Sequence, residues 1–398
     1  MKNFLATFFS YGFRPFFLLG PAYAVIVMLL FLMWIGIHFA DAQIVGMSIG
    51  VPPHIWHAHE MLFGFGTAAL AGFLLTAVPN WTDTKPVHGY TLGLLVLLWA
   101  VGRVGNGFSA HLPAIIVAAL DLLFLPALGI LVVGGLLEGW SRRNLIFVPL
   151  IGGFIAAQGL YQLESLEIVD DGIARGHNLA VNMFALLIAI IGGRVVPAFT
   201  TNALRQRGFV KLPTNWPPLN AIGVFLVAAF TIAAFIAPDD TVTGWLAAAA
   251  AMANGIRLAG WRGLRTFGMP IVWVLHAGFA WLVVGLALKT YAILDGSISS
   301  ASATHAITAG AIGTMVLAIM SRAALGHTGR ALVVSKWIVA AYVLVTIGTL
   351  TRIVIPAALP SFYSSGMLLA GLSWAGAFAI FVVTYFPILT GPRAHRGD

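Results

Sequence analysis

Long apolar stretches recur along the whole chain, and only short polar stretches separate them. One helix needs about 20 apolar residues to cross the hydrocarbon core of a membrane. The pattern therefore predicts an all-α polytopic membrane protein with about twelve transmembrane helices in one transmembrane domain, residues 1–398, and no separate soluble domain. The predicted helices span residues 15–39, 55–78, 90–108, 112–137, 144–163, 177–199, 218–237, 242–259, 270–293, 303–324, 332–356 and 363–389.

Composition supports the membrane assignment. Of the 398 residues, 60% are apolar and 9% are charged, whereas a soluble domain carries about 25% charged residues. The net charge of +8 comes from basic residues that stand singly or in pairs at the ends of the apolar stretches, so it indicates topology rather than nucleic-acid binding. The chain has no cysteine, which excludes disulfides and thiolate metal ligands. The first apolar stretch is too long for a cleavable signal peptide and is expected to remain as an anchor.

The charges between the apolar stretches alternate in sign along the chain, and this alternation predicts the orientation. It places both termini in the cytoplasm if the basic loops are the inner ones. The predicted inner loops and tails hold Lys2, Arg14, Lys85, Arg142, Arg143, Arg205, Arg207, Lys211, Arg262, Arg265, Arg330, Arg393 and Arg396. The predicted outer loops hold Asp41, Glu164, Glu167, Asp170, Asp171, Asp239, Asp240 and Asp295.

The second, sixth and tenth predicted helices each carry a histidine at or near their outer end: His59, His177 and His305. Arg194 and Arg322 follow the last two histidines at equal distance, near the predicted inner face. This repeat predicts three four-helix units around a pseudo-threefold axis. The catalytic subunit of haem–copper oxidases also has twelve helices in three groups. This comparison concerns the fold only and does not by itself imply the same function.

The start of the second predicted helix concentrates groups that ionise or bind metals: His54, His57, His59 and Glu60. Histidines that converge from separate helices are a natural way to hold haem iron or copper in a chain without cysteine. The metal-ligand candidates are His57, His59, His177 and His305. The competing interpretation is interfacial imidazoles bonded to loop carbonyls, which is favoured for His54.

Within that helix, His57 and His59 point to nearly opposite faces, so they are expected to have different partners. Glu60 is a candidate catalytic group that carries protons to a reduced substrate. An equal alternative is that Glu60 orients a ligand histidine.

A second group of candidates lies toward the predicted inner face. Arginines there can pair with haem propionates, or extend to lipid headgroups. His276 is a candidate for a second haem or metal site or for a proton path. The loop 325–330 carries two further candidates, and the alternative interpretation of this loop is a cap that ends the preceding helix. The cofactor-binding candidates in this group are His276, His327, Arg194, Arg322 and Arg330.

Five blocks of the chain resemble the NnrS family of bacterial inner-membrane proteins, which is associated with the nitric oxide response and with haem and copper. The resemblance implies that the outer histidines are metal ligands, and it strengthens the case for His327 and Arg330. The blocks are FSYGFRPFF (9–17), WHAHEMLFGF (56–65), FLLTAVPNWT (73–82), IGGRVVPAFTTN (191–202) and HAITAGAIGTMVLAIMSRAALGHTGR (305–330).

The resulting hypothesis is a protein that holds haem b, with copper as an additional candidate, in the outer half of the bilayer and binds nitric oxide there. In its catalytic form it would be an oxidoreductase that reduces nitric oxide, with Glu60 as proton carrier and a membrane quinol or other separate donor of electrons. Two alternatives remain: a non-catalytic binder or sensor of nitric oxide or a metal–nitrosyl species, and a transporter of a metal or haem complex. The oligomeric state is left open.

Overall fold

The computed structural model describes residues 2–42, 46, 48–140 and 142–394. Arg396 and the side chain of Lys2, both used above to predict orientation, lie outside the described residues. Every regular element in the described part is helical. The α-helices are α1 (Lys2–Phe8), α2 (Phe13–Phe39), α3 (Pro53–His59), α4 (Thr67–Thr82), α5 (Gly89–Gly107), α6 (Ala114–Leu122), α7 (Phe124–Glu138), α8 (Phe147–Ser165), α9 (Gly172–Gln206), α10 (Pro217–Ile236), α11 (Thr241–Gly260), α12 (Pro270–Leu294), α13 (Ser300–His305), α14 (Gly313–His327), α15 (Lys336–Ala358) and α16 (Tyr363–Thr390).

In the described part of the chain, ten helical runs are long and apolar enough to cross a membrane. They match ten of the twelve predicted segments, so the multi-pass helical prediction is confirmed while the count of twelve is not. The other two predicted segments form α5 and α11, which fall outside this set of ten. Each of these two helices contains a buried arginine, Arg103 in α5 and Arg257 in α11.

The contacts of the chain separate it into two compact units. Unit 1 comprises residues 1–180, 322–331 and 378–398, and unit 2 comprises residues 181–321 and 332–377. This division differs from the predicted three units of four helices. The prediction was based on the position of one histidine in each of three helices, which carries no information about how the remaining helices pack.

In unit 1, small residues let neighbouring helices approach closely. A Cβ atom built on Gly72 of α4 would lie 2.5 Å from Cε1 of Phe17 in α2. A Cβ built on Gly102 of α5 would lie 3.3 Å from the carbonyl oxygen of Leu120 in α6. Such close approach is typical of membrane helices with glycine at the interface. It brings polar side chains of α2, α5 and α6 within reach of one another.

Two π-helical turns interrupt the helices, and each begins directly after a histidine. Residues Glu60–Gly66 follow His59 at the end of α3, and residues Ala306–Ile312 follow His305 at the end of α13. The third histidine of the predicted repeat, His177, lies in the continuous helix α9. Since π-helical turns occur frequently at functional sites, these two positions deserve particular weight as site candidates.

In unit 2, the buried guanidinium of Arg257 holds α9, α10 and α11 together. Its Nη1 donates to Oδ1 of Asn254 at 2.6 Å, and its Nε donates to Oδ1 of Asn220 at 3.1 Å. Its Nη2 donates to the carbonyl oxygen of Ala189 at 3.1 Å. The absent side chain of Gly193 makes room for this group, because a Cβ there would lie 1.7 Å from Nη2.

Replacement of Gly193 with alanine is therefore expected to destabilise the protein by about 1–3 kcal/mol, as overpacking of a buried position does. The matched control is Gly152→Ala, since Gly152 also lies inside a helix but has no neighbour within 4 Å of a built Cβ. That variant is expected to gain about 0.5–1 kcal/mol from the helical preference of alanine. Thermal unfolding of the purified variants in detergent measures both effects, and equal melting temperatures would contradict the proposed fit of Arg257.

Candidate functional site

Four ionisable side chains meet in the interior of unit 1: His59, Glu60, Arg103 and Asp121. Each is at most 5% exposed. Four ion pairs join members of this set, which we call the buried network. Because burying a charge without a partner is very costly, the four groups must be arranged to compensate one another.

His59 lies between the two carboxylates of the network. Its Nδ1 is 2.9 Å from Oε1 of Glu60, and its Nε2 is 3.0 Å from Oδ2 of Asp121. Ionised carboxylates only accept hydrogen bonds, so both ring nitrogens donate and the ring is an imidazolium. Two carboxylates, one guanidinium and one imidazolium then make the buried network neutral.

Glu60 is held by donors from three helices. Its Oε2 accepts from Tyr23 Oη at 2.6 Å and from Arg103 Nη1 at 2.6 Å, while its Oε1 contacts His59. Glu60 positions His59 and Arg103 through these contacts, while its two predicted roles, proton carrier and partner of a ligand histidine, stay predictions.

Asp121 is the second anchor of the buried network, and in the sequence it is a lone acid within the predicted helix 112–137. Its Oδ1 accepts from Arg103 Nη2 and from Asn106 Nδ2, the latter at 2.9 Å. Its Oδ2 accepts from Gln162 Nε2 at 2.7 Å as well as from His59. Sequence reasoning missed Tyr23, Asn106 and Gln162 and the role of Arg103. A charged residue in each of two apolar segments was the available signal.

His177 lies beside the buried network without joining it. Its ring centroid is 5.3 Å from that of Tyr161 and 6.4 Å from those of His59 and Phe63. Its Nε2 is buried and has no hydrogen-bond partner in the described part of the chain. A buried ring nitrogen in that state can accept a ligand or a metal without first giving up another bond.

His57 faces a different part of unit 1 from His59, as the opposite placement of the two residues on the helix predicts. Its ring stacks on Phe31 with a centroid distance of 4.2 Å and an interplanar angle of 15°. His54, about one and a half helical turns before His59, is exposed.

In unit 2, His305 ends α13 and is half-buried. Its Nδ1 is 2.7 Å from the carbonyl oxygen of Ala301. A carbonyl oxygen only accepts, so Nδ1 carries the proton and Nε2 presents its lone pair. Lys289 and Arg352 both interact electrostatically with His305, and Lys289 Nζ donates to Oγ1 of the neighbouring Thr304 at 2.8 Å.

His276 of unit 2 is buried and hydrogen-bonded. Its Nε2 is 2.8 Å from Oγ1 of Thr200. Its Nδ1 has no hydrogen-bond partner among the described residues, but it packs against Gly263, where a built Cβ would lie 2.6 Å away. The absence of a side chain at Gly263 lets the backbone pass close to the ring of His276.

The remaining predicted residues are divided between the two units. Arg194 is a half-buried residue of unit 2, while Arg322, His327 and Arg330 belong to unit 1. His327 is exposed, and its ring lies 6.4 Å from the ring of Tyr11. The structure thus brings together His59, Glu60 and His177 in unit 1.

No group of three or more histidine, aspartate or glutamate side chains in the described part of the chain is arranged to hold a metal ion. The candidate ligands in the described residues are therefore single histidines. Three or more of these side chains do not converge on one point, as a copper ion with several such protein ligands would require.

The comparison with known protein families gives one match. A family model described as NnrS protein matches residues 7–393, nearly the whole chain. No curated protein matches the chain in the corresponding comparison. A match of this extent confirms the resemblance seen in the sequence blocks, and this multi-pass helical membrane protein belongs to the NnrS family.

Proposed function

We propose that this protein binds haem b, captures nitric oxide at the haem and takes part in nitric oxide detoxification in the bacterial inner membrane, with both termini in the cytoplasm. Membership of the NnrS family and the membrane-helical fold support the nitric oxide part. The observation that carries the haem part is the geometry of His305, which orients a free ring nitrogen beside two basic side chains.

The test of fit for haem begins with the ring nitrogens. An axial histidine must present a lone pair on one nitrogen, and its other nitrogen almost always donates to a carbonyl or carboxylate. His305 meets both conditions, because Nδ1 donates to Ala301 and Nε2 is left for the iron. The π-helical turn that follows His305 supports a functional role for this position.

The surroundings of His305 also fit the charge of haem. Haem carries two carboxylates, and basic side chains in a membrane protein are suited to hold them. Lys289 is only 9% exposed, and Arg352 is half-buried. Asp239 is the acidic side chain that interacts with Lys289. Haem bound there would supply an iron that coordinates nitric oxide, a small neutral molecule that reaches the site through the bilayer.

The other predicted ligands differ in how well they fit. His177 fits as a second axial candidate, since its Nε2 is buried and unbonded. His59 does not fit the metal-ligand role, because both of its nitrogens face carboxylates. His276 has its Nε2 within hydrogen-bond distance of Thr200 and its Nδ1 buried, and we assign it no ligand. The described residues do not form a copper site with three or more histidine, aspartate or glutamate ligands, and we assign copper no step in the reaction.

In the catalytic form of the proposal, two nitric oxide molecules, two electrons and two protons give one nitrous oxide and one water, and a membrane quinol supplies the electrons. Glu60 positions His59 and Arg103 in this form. A non-catalytic binder is the second candidate. It is favoured by the hydrogen bonds of Glu60, which all go to side chains of unit 1, whereas the proposed haem ligand His305 belongs to unit 2.

The experiment is a reduced-minus-oxidised absorption spectrum of the purified protein with and without nitric oxide, followed by nitric oxide consumption with a short-chain quinol. We expect b-type haem bands that nitric oxide shifts. Steady consumption would support the enzyme, and a shift without consumption would support the binder. Folded protein without haem after expression with excess haem precursor would refute the proposal.

A further inference from the structure

A second concentration of charge lies in unit 1, outside the buried network. It consists of Arg14, His327, Arg330 and Arg393, which we call the basic cluster. Arg14 comes from the start of α2, His327 from the end of α14, and the other two from the segments after α14 and α16. Two of the family-like sequence blocks, 9–17 and 305–330, therefore meet at this place.

Hydrogen bonds hold the elements of the basic cluster together. Arg14 Nη1 donates to the carbonyl oxygens of Leu389 and Gly391, both at 2.8 Å. The backbone nitrogen of Ala394 donates to the carbonyl oxygen of Thr328 at 2.9 Å. These bonds fix the chain after α16 against the segment that carries Arg330.

A close approach at Gly329 places Arg393 next to Arg330. A Cβ built on Gly329 would lie 3.4 Å from Nε of Arg393 and 2.8 Å from the carbonyl oxygen of Ala394. Gly329 also has a φ of +76°, a backbone conformation that other residues rarely adopt. The ring of His327 completes the arrangement, with its centroid 5.6 Å from that of Phe13.

The basic cluster lacks a compensating acid in the part of the chain that the structure describes. Arg14 is only 5% exposed and interacts electrostatically with Arg330. Arg330 Nη1 is buried and has no hydrogen-bond partner among the described residues. His327 interacts electrostatically with Arg393. Like charges held together at a partly buried site are unfavourable unless an anion joins them.

We propose that the basic cluster binds a phosphate group, supplied by the headgroup of an anionic phospholipid or by free phosphate. Guanidinium groups form paired hydrogen bonds with phosphate oxygens, and several of them together match a group with three or more acceptor oxygens. Arg14 and Arg330 form the buried floor of this site, while Arg393 and His327 lie exposed at its rim. The open rim lets a headgroup enter from the membrane surface.

The experiment compares two probes on the full-length protein in a phosphate-free detergent: inorganic phosphate and a short-chain phosphatidylglycerol. Native mass spectrometry gives the dissociation constants. Arg330→Gln is expected to weaken binding of the favoured probe about tenfold or more, since a hydrogen bond to a charged group contributes about 1.5–3 kcal/mol. If the Arg330→Gln variant does not fold, the affinity of the Arg393→Gln variant is measured instead, because Arg393 lies at the exposed rim of the site. Arg265→Gln is the control, because Arg265 is an exposed arginine of unit 2.

The outcomes separate the sources of the phosphate group. Binding of phosphatidylglycerol but not phosphate assigns the site to lipid, and binding of both with similar affinity assigns it to free phosphate. Equal affinities in the wild type and both cluster variants, or no binding of either probe, would overturn the proposal.

Discussion

Replacing Arg103 with leucine is expected to lower the free energy of unfolding by about 3–5 kcal/mol, the cost of removing one partner from a buried ion pair. Arg103 donates to Glu60 and to Asp121, and both carboxylates are fully buried. Without the guanidinium, two negative charges and one imidazolium would remain in the interior. Leucine fills much of the volume but offers no donor, so the loss is electrostatic rather than a loss of packing.

The charge explanation predicts a specific rescue. Adding Glu60→Gln to Arg103→Leu leaves one carboxylate and one imidazolium, so the double variant is expected to be more stable than Arg103→Leu alone. Arg142→Leu is the control, since Arg142 is exposed in the same unit and its replacement is expected to change stability by about 0.5 kcal/mol or less. Thermal unfolding in detergent measures all three variants. A double variant less stable than Arg103→Leu would contradict the charge balance.

The helices were largely predictable because the bilayer imposes a length and a polarity on each of them. The predicted segment 332–356 corresponds to Lys336–Ala358, and the predicted segment 15–39 corresponds to Phe13–Phe39. The predicted segment 112–137 corresponds to α6 and α7, which meet at Leu123 and together form one apolar run, Ala114–Glu138.

The contents of the site were predictable only in part. His59 and Glu60 stood out because ionisable residues are costly in an apolar helix. Their partners could not be predicted, since Asp121 contacts His59 across 62 positions of sequence and that contact depends on how α3 and α6 pack. Because of this contact, both ring nitrogens of His59 have a carboxylate partner. The spacing of residues along the sequence does not reveal such a contact.

The π-helical turns after His59 and His305 were also beyond the sequence. The apolar pattern of Ala306–Ile312 is compatible with an α-helical as well as a π-helical turn, so hydropathy does not distinguish the two. The repeat of histidines was visible, but only the structure distinguishes the two that precede such a turn from His177, which does not.

Replacing His305 with alanine is expected to reduce the haem content of the purified protein more than about tenfold, because even the residues that merely support a metal ligand change metal affinity about 10–100-fold. This prediction depends on the proposed function. The stability of the variant should change little, since His305 is half-buried and its one described hydrogen bond goes to Ala301 in the same helical turn. Haem content by absorption and melting temperature are therefore measured on the same preparation.

The controls distinguish an axial ligand from a histidine that merely stabilises the helix end. His88→Ala removes an exposed histidine of unit 1 and should leave the haem bands unchanged. Free imidazole should restore the bands of the His305→Ala variant, because a small ring can occupy the space and offer the same nitrogen, whereas it cannot replace a structural bond to Ala301. If His305→Ala keeps its haem while His177→Ala loses it, the iron belongs at His177 in unit 1, and Lys289 and Arg352 hold no haem carboxylate.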